Sequence, residues 1–530
     1  MDTSKQTDGL TRRKFLGTLA AGATAPYAAR LPGLRTSAVL NPLFWVKGIP
    51  DLPFYDPAEP NRHLGLDSLL YIMADKGLKF YRSSGGHPFS GPEGLIAVRD
   101  VVLIKVNAQW KYRGRTNSDL IRGLIQRVLD HPDGFAGEVV IIENGQGRGS
   151  LRCDTPKAYG GDTSVHANAN DESHHFLYLV DTVFNDPRVS AYLLDPVRAK
   201  LIDDNDHVQD GYRTVENVSY PCFTTSGGNR VELGKGIWNG GAHRRNLKLI
   251  NVPVLKHHDT GGSEITASLK HMYGVVSMSD GQTVGRHYDK LGDTCGKMMA
   301  SVVKPVLNII DAIWVSQSSL GGYPAQTTFR ANQLLASQDP VAADYWAAKY
   351  ILYPIDGNDR HHPDFSGIDH WLSQAAATIN SRGGLRDAEK GIVVGRVTKT
   401  ETEMKTHSCQ AGQFLNGVRL SVSNSGLIFT VPLGEVMTLE KPLAISVSGS
   451  RPLAWRIETN ARWLSCAPAS GSGNATVAVL VRPAGLEPGS YTGRIAIYCW
   501  GAVNSPVFVS VTLKLHERDG RIRFDSLSKV

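Results

Sequence analysis

Short runs of aliphatic and β-branched residues recur through the first two-thirds of the chain, and each stops abruptly at polar side chains. Val101 to Val106 carries Lys105 near its end and is followed by Asn107. Val139 to Ile142 gives way to Glu143 and Asn144, and Leu249 to Leu255 gives way to Lys256, His257, His258 and Asp259. Val302 to Ile310 ends at Asp311. Runs of this length and branching predict buried strands. Between the first two, Thr116-Asn117 offers an N-cap, and Leu120, Ile121, Leu124, Ile125, Val128 and Leu129 fall on one helical stripe. Such a strand–helix–strand unit with short connections predicts a right-handed parallel crossover. After the third run, Thr260-Gly261-Gly262 predicts a turn and Ile265 to Tyr273 a short helix carrying Lys270 and His271. Leu334 to Ser337 predicts a brief strand, and Asp339-Pro340 then opens a helix with Asp as N-cap and Pro at its first position.

The expected fold class is therefore α/β: a mostly parallel open sheet with helices on both faces, spanning residues 41–400. Residues 41–97 are rich in Pro and Gly without a clean period, and 150–235 predict an insertion over the sheet edge with a helix from Phe176 to Phe184. A polar linker is expected at 401–417. Beyond it the period shortens to strict alternation, as in Ile428 to Val431, Thr476 to Val481 and Val507 to Leu513. Short alternating strands at regular spacing predict an antiparallel β-sandwich over 418–516, followed by a polar tail at 517–530.

A chain of 530 residues exceeds one core, in line with two or more domains. Its net charge of +7 is spread among nearly balanced basic and acidic residues, and the densest basic spot, His243 to Lys248, is short. No nucleic-acid partner is expected. The six cysteines (Cys153, Cys222, Cys295, Cys409, Cys466, Cys499) form no C-x-x-C pair, so no iron–sulfur motif is present and the cofactor is left unassigned. At the start, Arg12-Arg13-Lys14-Phe15-Leu16 precedes the weakly apolar Gly17 to Ala25. This resembles a twin-arginine export signal over residues 1–40 and implies the twin-arginine translocase as a partner, with a periplasmic or extracellular destination.

In open parallel sheets, ligands bind where the carboxyl ends of the strands converge. That rule gathers Lys105, Asn107, Glu143, Lys256 and Asp311 as candidate ligand- or cofactor-binding residues, and His257, His258 and Lys270 as candidate catalytic ones. Three functional readings stand on them. In the first, Lys105, Lys256 and Lys270 neutralise a small polar or anionic ligand while His257 or His258 moves protons. Adjacent strand residues point to opposite sides, so only one of the two histidines is expected to face the crevice. In the second, His257 or His258, Asp259, His271 and Asp311 hold a metal ion in a periplasmic enzyme. In the third, the α/β unit is scaffold and the sandwich does the binding in the cell envelope.

Five motifs occur in order: Val102 to Asn107, N-V-P-V-L-K-H-H at 251–258, T-A-S-L-K-H-M-Y-G at 266–274, I-I-D-A-I at 309–313 and A-S-Q-D-P-V-A-A-D at 336–344. Together they resemble domain-of-unknown-function family 362 over about residues 95–355. The resemblance implies no assigned reaction. The chain departs from it in lacking the cysteines of fused cluster domains and in having His271 where Asn is commoner. Ala461 to Gly471 and Gly485 to Gly493 resemble BACON-type immunoglobulin-like modules, which implies a carbohydrate partner through the sandwich.

Overall fold

The computed structural model describes residues 40–54, 59–155, 163–259, 263–276, 287–414, 420–432, 438–448, 452–499, 502 and 506–516. The export-signal segment, the Thr260–Gly262 turn and the tail at 517–530 lie outside the described residues.

The predicted hydrophobic runs build one large sheet. Its strands are β1 (Asn41–Lys47), β2 (Val101–Lys105), β3 (Glu138–Glu143), β4 (Val189–Leu193), β5 (Leu247–Asn251), β6 (Val254–His257), β7 (Leu307–Ser316), β8 (Thr328–Ser337) and β9 (Met404–Gln410). They lie in the order β9-β1-β8-β7-β5-β2-β3-β4, with β6 paired to the far half of β7 and to Ile265–Thr266. The block from β7 to β4 is parallel, whereas β8 runs antiparallel to both β7 and β1. The sheet is thus mixed, with six parallel pairings against three antiparallel ones among the described strands: mostly parallel as expected, but not parallel throughout. Strand direction depends on how the chain re-enters the sheet, and the short return from β7 into β8 is a hairpin-like one.

Helices cover both faces. On one side, α1 (Leu64–Asp75) and α2 (Ser118–Leu129) pack against Val102, Ile104, Val139, Ile141 and Ile309. On the other, α3 (Ser268–Met272), α4 (Leu291–Lys297), α5 (Pro340–Ala347) and α6 (Ser366–Ser381) cover Leu103, Val140, Ile142, Leu249 and Ile310. Alternation along each strand divides the two cores. α2 starts as its sequence predicts, with Asn117 Oδ1 accepting from Leu120 N at 3.0 Å. Its stripe of Leu120, Ile121, Leu124, Ile125 and Val128 is fully buried, each side chain contributing about 1.5–3 kcal/mol. Arg127 then ties α2 to α1 through both oxygens of Asp67 at 2.6 Å.

Several expectations are corrected. The single run Leu249 to Leu255 is two strands, because Pro253 has no N–H to give to the ladder and the chain steps there from β5 to β6. The stretch 302–311 ends a helix first, and its strand runs on to Ser316. Helix 265–273 shortens to α3, preceded by the bridge at Ile265–Thr266. Residues 41–97, which lack a period, hold β1 and α1. The linker range 401–417 holds β9, which pairs in parallel with β1 from Asn41↔Met404 to Lys47↔Gln410. The 150–235 insertion supplies β4 and most of a separate five-stranded antiparallel sheet across Gly211–Arg244.

The C-terminal strands form a four-stranded and a five-stranded sheet around one core that includes Leu443, Trp455, Val479, Ile497 and Val511. One pairing departs from the antiparallel expectation: Gly426–Pro432 runs parallel to Val507–His516. All six cysteines are free thiols.

Candidate functional site

Two strand ends, the β6 extension and α3 enclose a narrow cleft. Its walls include Lys105, Asn107, Glu143, Lys256, His258, Lys270 and His271, with Gln146, Thr266, Tyr273 and Gly274 between them. The free volume is about 40 Å³, room for roughly three waters. A carboxylate, sulfate or phosphate group fits that space. A roomier cavity of about 270 Å³ lies between Gly85–His87 and Trp455–Ile457, but its surface is mostly apolar and it lies away from the strand ends.

Each lysine is held differently. Lys105, fully buried, forms an ion pair with Glu143 and donates to the Val106 carbonyl at 3.0 Å. Burial lowers its pKa and raises that of Glu143, each opposed by attraction to the other. Lys256 Nζ donates to the carbonyls of Gly114 and Leu320 at 2.7 and 2.9 Å. Burial pushes its pKa down to about 7, and Arg115, Lys270 and Lys105 push the same way. Lys270 is 8% exposed and sits 4.5 Å over the Tyr273 ring. Among the described residues no carboxylate pairs with it, and burial takes its pKa to about 8. Of the residues lining the cleft, Glu143 alone is acidic.

The helix that presents Lys270 and His271 is anchored from below. Asp344, on α5, accepts from Ser268 N at 2.6 Å and Leu269 N at 2.9 Å, capping α3. Asp339 caps α5 itself through Val341 N and Ala342 N. The two carboxylates of the 336–344 motif therefore fix helix starts, and burial raises them to about 6 for Asp339 and about 7 for Asp344. His271 Nδ1 meets Asn251 Oδ1 at 2.7 Å, so Nδ1 carries the proton. Asn251 in turn bonds Asn308 and the Ser268 carbonyl, each at 2.9 Å. Burial holds His271 well below the usual histidine range. Asn107 uses its side-chain oxygen to hold Val254 N at 2.9 Å and so positions β6.

Two candidates fall elsewhere. Asp311 sits mid-strand on the α2 side of the sheet, where it accepts from Asn117 N at 2.7 Å and Ile313 N at 3.0 Å. Its parity with Ile309 and Ile313 sets that side. Burial raises it to about 7, opposed by those two bonds. His257 turns away from the cleft to meet His361 Nε2 at 2.9 Å, and His361 Nδ1 meets Asp356 at 2.9 Å. His258, its neighbour, faces the cleft and bonds Asp259. Burial pushes His258 down to about 3, while its hydrogen bond overcomes the effect of burial on Asp259 and holds that carboxyl near 2.

Residues 241–349 match the family model described as Domain of unknown function (DUF362). This DUF362 segment carries Lys256, His258, Lys270, His271 and Asp344, whereas Lys105 and Glu143 come from strands before it. No curated protein matches the chain. Among solved structures, a Bacteroides ovatus GH5 xyloglucanase in complex with a heptasaccharide is 19% identical over 18% of this chain and 19% of its own, with a TM-score of 0.15. The ASH/PapD-like domain of human CEP192 is 18% identical over 19% of this chain and 89% of its own, with a TM-score of 0.17. The periplasmic chaperone SfaE is 9% identical over 18% of this chain and 58% of its own, at 0.15. The chain thus spans about a fifth of the xyloglucanase. TM-scores this low carry no functional argument.

Outside this cleft, His207 and His243 both bond the buried Glu232, at 2.5 and 2.8 Å, and Arg213 pairs with the same carboxylate. Three donors already satisfy Glu232, so this cluster ties the insertion sheet together. The sequence pattern did not expose Tyr273, Thr266 or Gln146 as cleft residues. All three lie within motifs or strand ends that it did single out. His287, beside His258 and Tyr273 at ring separations of 5.8 and 5.2 Å, belongs to no such pattern.

Proposed function

We propose that this chain is an exported α/β protein that binds a small anionic ligand in the cleft of Lys105, Lys256 and Lys270. The supporting observation is a charge imbalance: three buried lysines line a space whose single acidic group is already paired to one of them. Burying an unpaired ammonium costs several kcal/mol, and an anion between Lys256 and Lys270 offsets that cost. His258 faces the cleft, but burial pushes it down to about 3, too weak a base for the proton-transfer role expected of it, so in this reading it serves as a neutral lone-pair donor. Attachment to carbohydrate through the C-terminal sandwich belongs to the same reading and rests on its sequence resemblance alone.

Titrating the full chain with sulfate by calorimetry tests the cleft. Lys270→Ala should weaken sulfate binding by about ten- to a hundredfold, the value of a charge-assisted hydrogen bond. Its melting temperature should hold or rise, because the substitution removes a desolvated charge. Unchanged affinity with a large loss of melting temperature would make Lys270 structural and favour the scaffold reading.

Export rests on the residues around Arg12-Arg13. Replacing both arginines by lysine should leave the protein in the cytoplasm, since the translocase reads guanidinium geometry rather than charge alone. Normal accumulation of that variant outside the cytoplasm would remove export by this route from the proposal.

A further inference from the structure

His258 and Asp259 leave β6 side by side, and the chain returns to them at His287. One donor atom from each of the three lies within 4.8 Å of the other two. His287 Nε2 is buried and makes no hydrogen bond among the described residues. Its ring packs on Tyr273, which lines the anion cleft, and His258 lines the same cleft directly. A buried, unpartnered ring nitrogen facing a second imidazole and a carboxylate calls for an electrophile that none of the described residues supplies.

We infer that His258, Asp259 and His287 form a three-ligand site for a divalent transition-metal ion of the zinc and cobalt class, set in the wall of the cleft. Two imidazoles and one carboxylate suit such ions, while calcium and magnesium prefer oxygen donors throughout. Metal bonds of about 2.0–2.2 Å hold donor atoms roughly 3–3.5 Å apart. Side-chain rotation at a strand end closes a spacing of 4.8 Å or less to that range. Three protein ligands leave a coordination position open, the arrangement of catalytic rather than structural sites. The cleft is where that position leads.

The ligand set differs from the one expected from sequence. His257 is committed to His361, Asp311 lies on the α2 side of the sheet, and His271 is not among the donors that lie within 4.8 Å of one another. Lys270 lies near enough to act electrostatically on all three proposed ligands. A dication beside an ammonium is repelled, and an anion touching both relieves the repulsion. Metal and anion should therefore bind cooperatively. That coupling rests on the anion reading above; the three-ligand site does not.

Cobalt(II) titration of the chelator-treated full chain, followed by its visible ligand-field absorption, tests both parts. One equivalent should bind, and His287→Ala and His258→Ala should each weaken it by at least about a hundredfold. His287→Gln, closer in size, guards against misfolding and should lose the metal with an unchanged melting temperature. Saturating sulfate should tighten cobalt binding about tenfold, and Lys270→Ala should abolish that enhancement while keeping the metal. Absence of cobalt binding, or binding indifferent to all three histidine variants, overturns the metal site. Cobalt binding that depends on His258 and His287 but ignores sulfate upholds the metal site and counts against the anion reading. Sulfate binding without cobalt binding does the reverse.

Discussion

Replacing Lys105 by methionine should cost about 3–5 kcal/mol of folding stability, because Glu143 is left buried without its partner. Both side chains are almost fully enclosed, at 1% and 3% exposure, so water cannot screen the orphaned carboxylate. The penalty should shrink as pH falls. Losing Lys105 removes the attraction that opposes the burial-driven rise of the Glu143 pKa. A carboxyl whose folded pKa lies above its unfolded value binds more protons when folded, so acidification favours the folded state until the unfolded chain is protonated as well. Adding Glu143→Gln to the Lys105→Met variant should recover most of the loss. Chemical denaturation of the three variants across pH 5–8 measures this. A Lys105→Met cost below about 1 kcal/mol at neutral pH would show that the pair is not charged.

Sulfate affinity should fall steeply above neutrality. Lys256 titrates near 7 and Lys270 near 8 in the free protein, both depressed chiefly by burial, and each must be protonated to hold the anion. Sulfate keeps its charge over this range, so the affinity should drop about tenfold per pH unit between 7 and 8. Above 8 both lysines are neutral, and the slope should double on a logarithmic scale. His258, already neutral, contributes nothing to the curve. Stability without anion should move the other way. Both folded pKa values lie below the unfolded value, so the folded state binds fewer protons between pH 7 and about 10, and its stability rises with pH across that window. Calorimetry at pH 6 to 9 decides the matter, and a flat affinity profile would eliminate both lysines as anion ligands.

What the sequence exposed and what it hid follow from the same physics. Lys105, Glu143 and Lys256 were visible because a charged residue interrupting a buried strand is costly anywhere except at a strand end. Lys270 and His271 were visible because they crowd one short helix. Asp311 looked the same in one dimension, but its strand continues to Ser316, and only pairing with β8 reveals that continuation. The choice between His257 and His258 depends on where β6 starts, which Pro253 resets. β9 escaped because its sequence, Met404 to Gln410, shows no apolar alternation: it is stabilised by backbone pairing to β1 and by its buried ends, Met404 and Cys409. His287 reaches His258 only through the tertiary fold.

The pairing of β1 with β8 and β9 also has a temporal meaning. The first strand of the sheet leaves the ribosome early, yet both of its neighbours are among the last parts of the α/β region to be made. Contacts so distant in sequence form slowly, and until they form β1 offers two unsatisfied edges to any other chain. A nascent chain halted before Gln410 would be a sheet with an open seam. Closure of that seam therefore becomes possible only after the sandwich has begun to emerge.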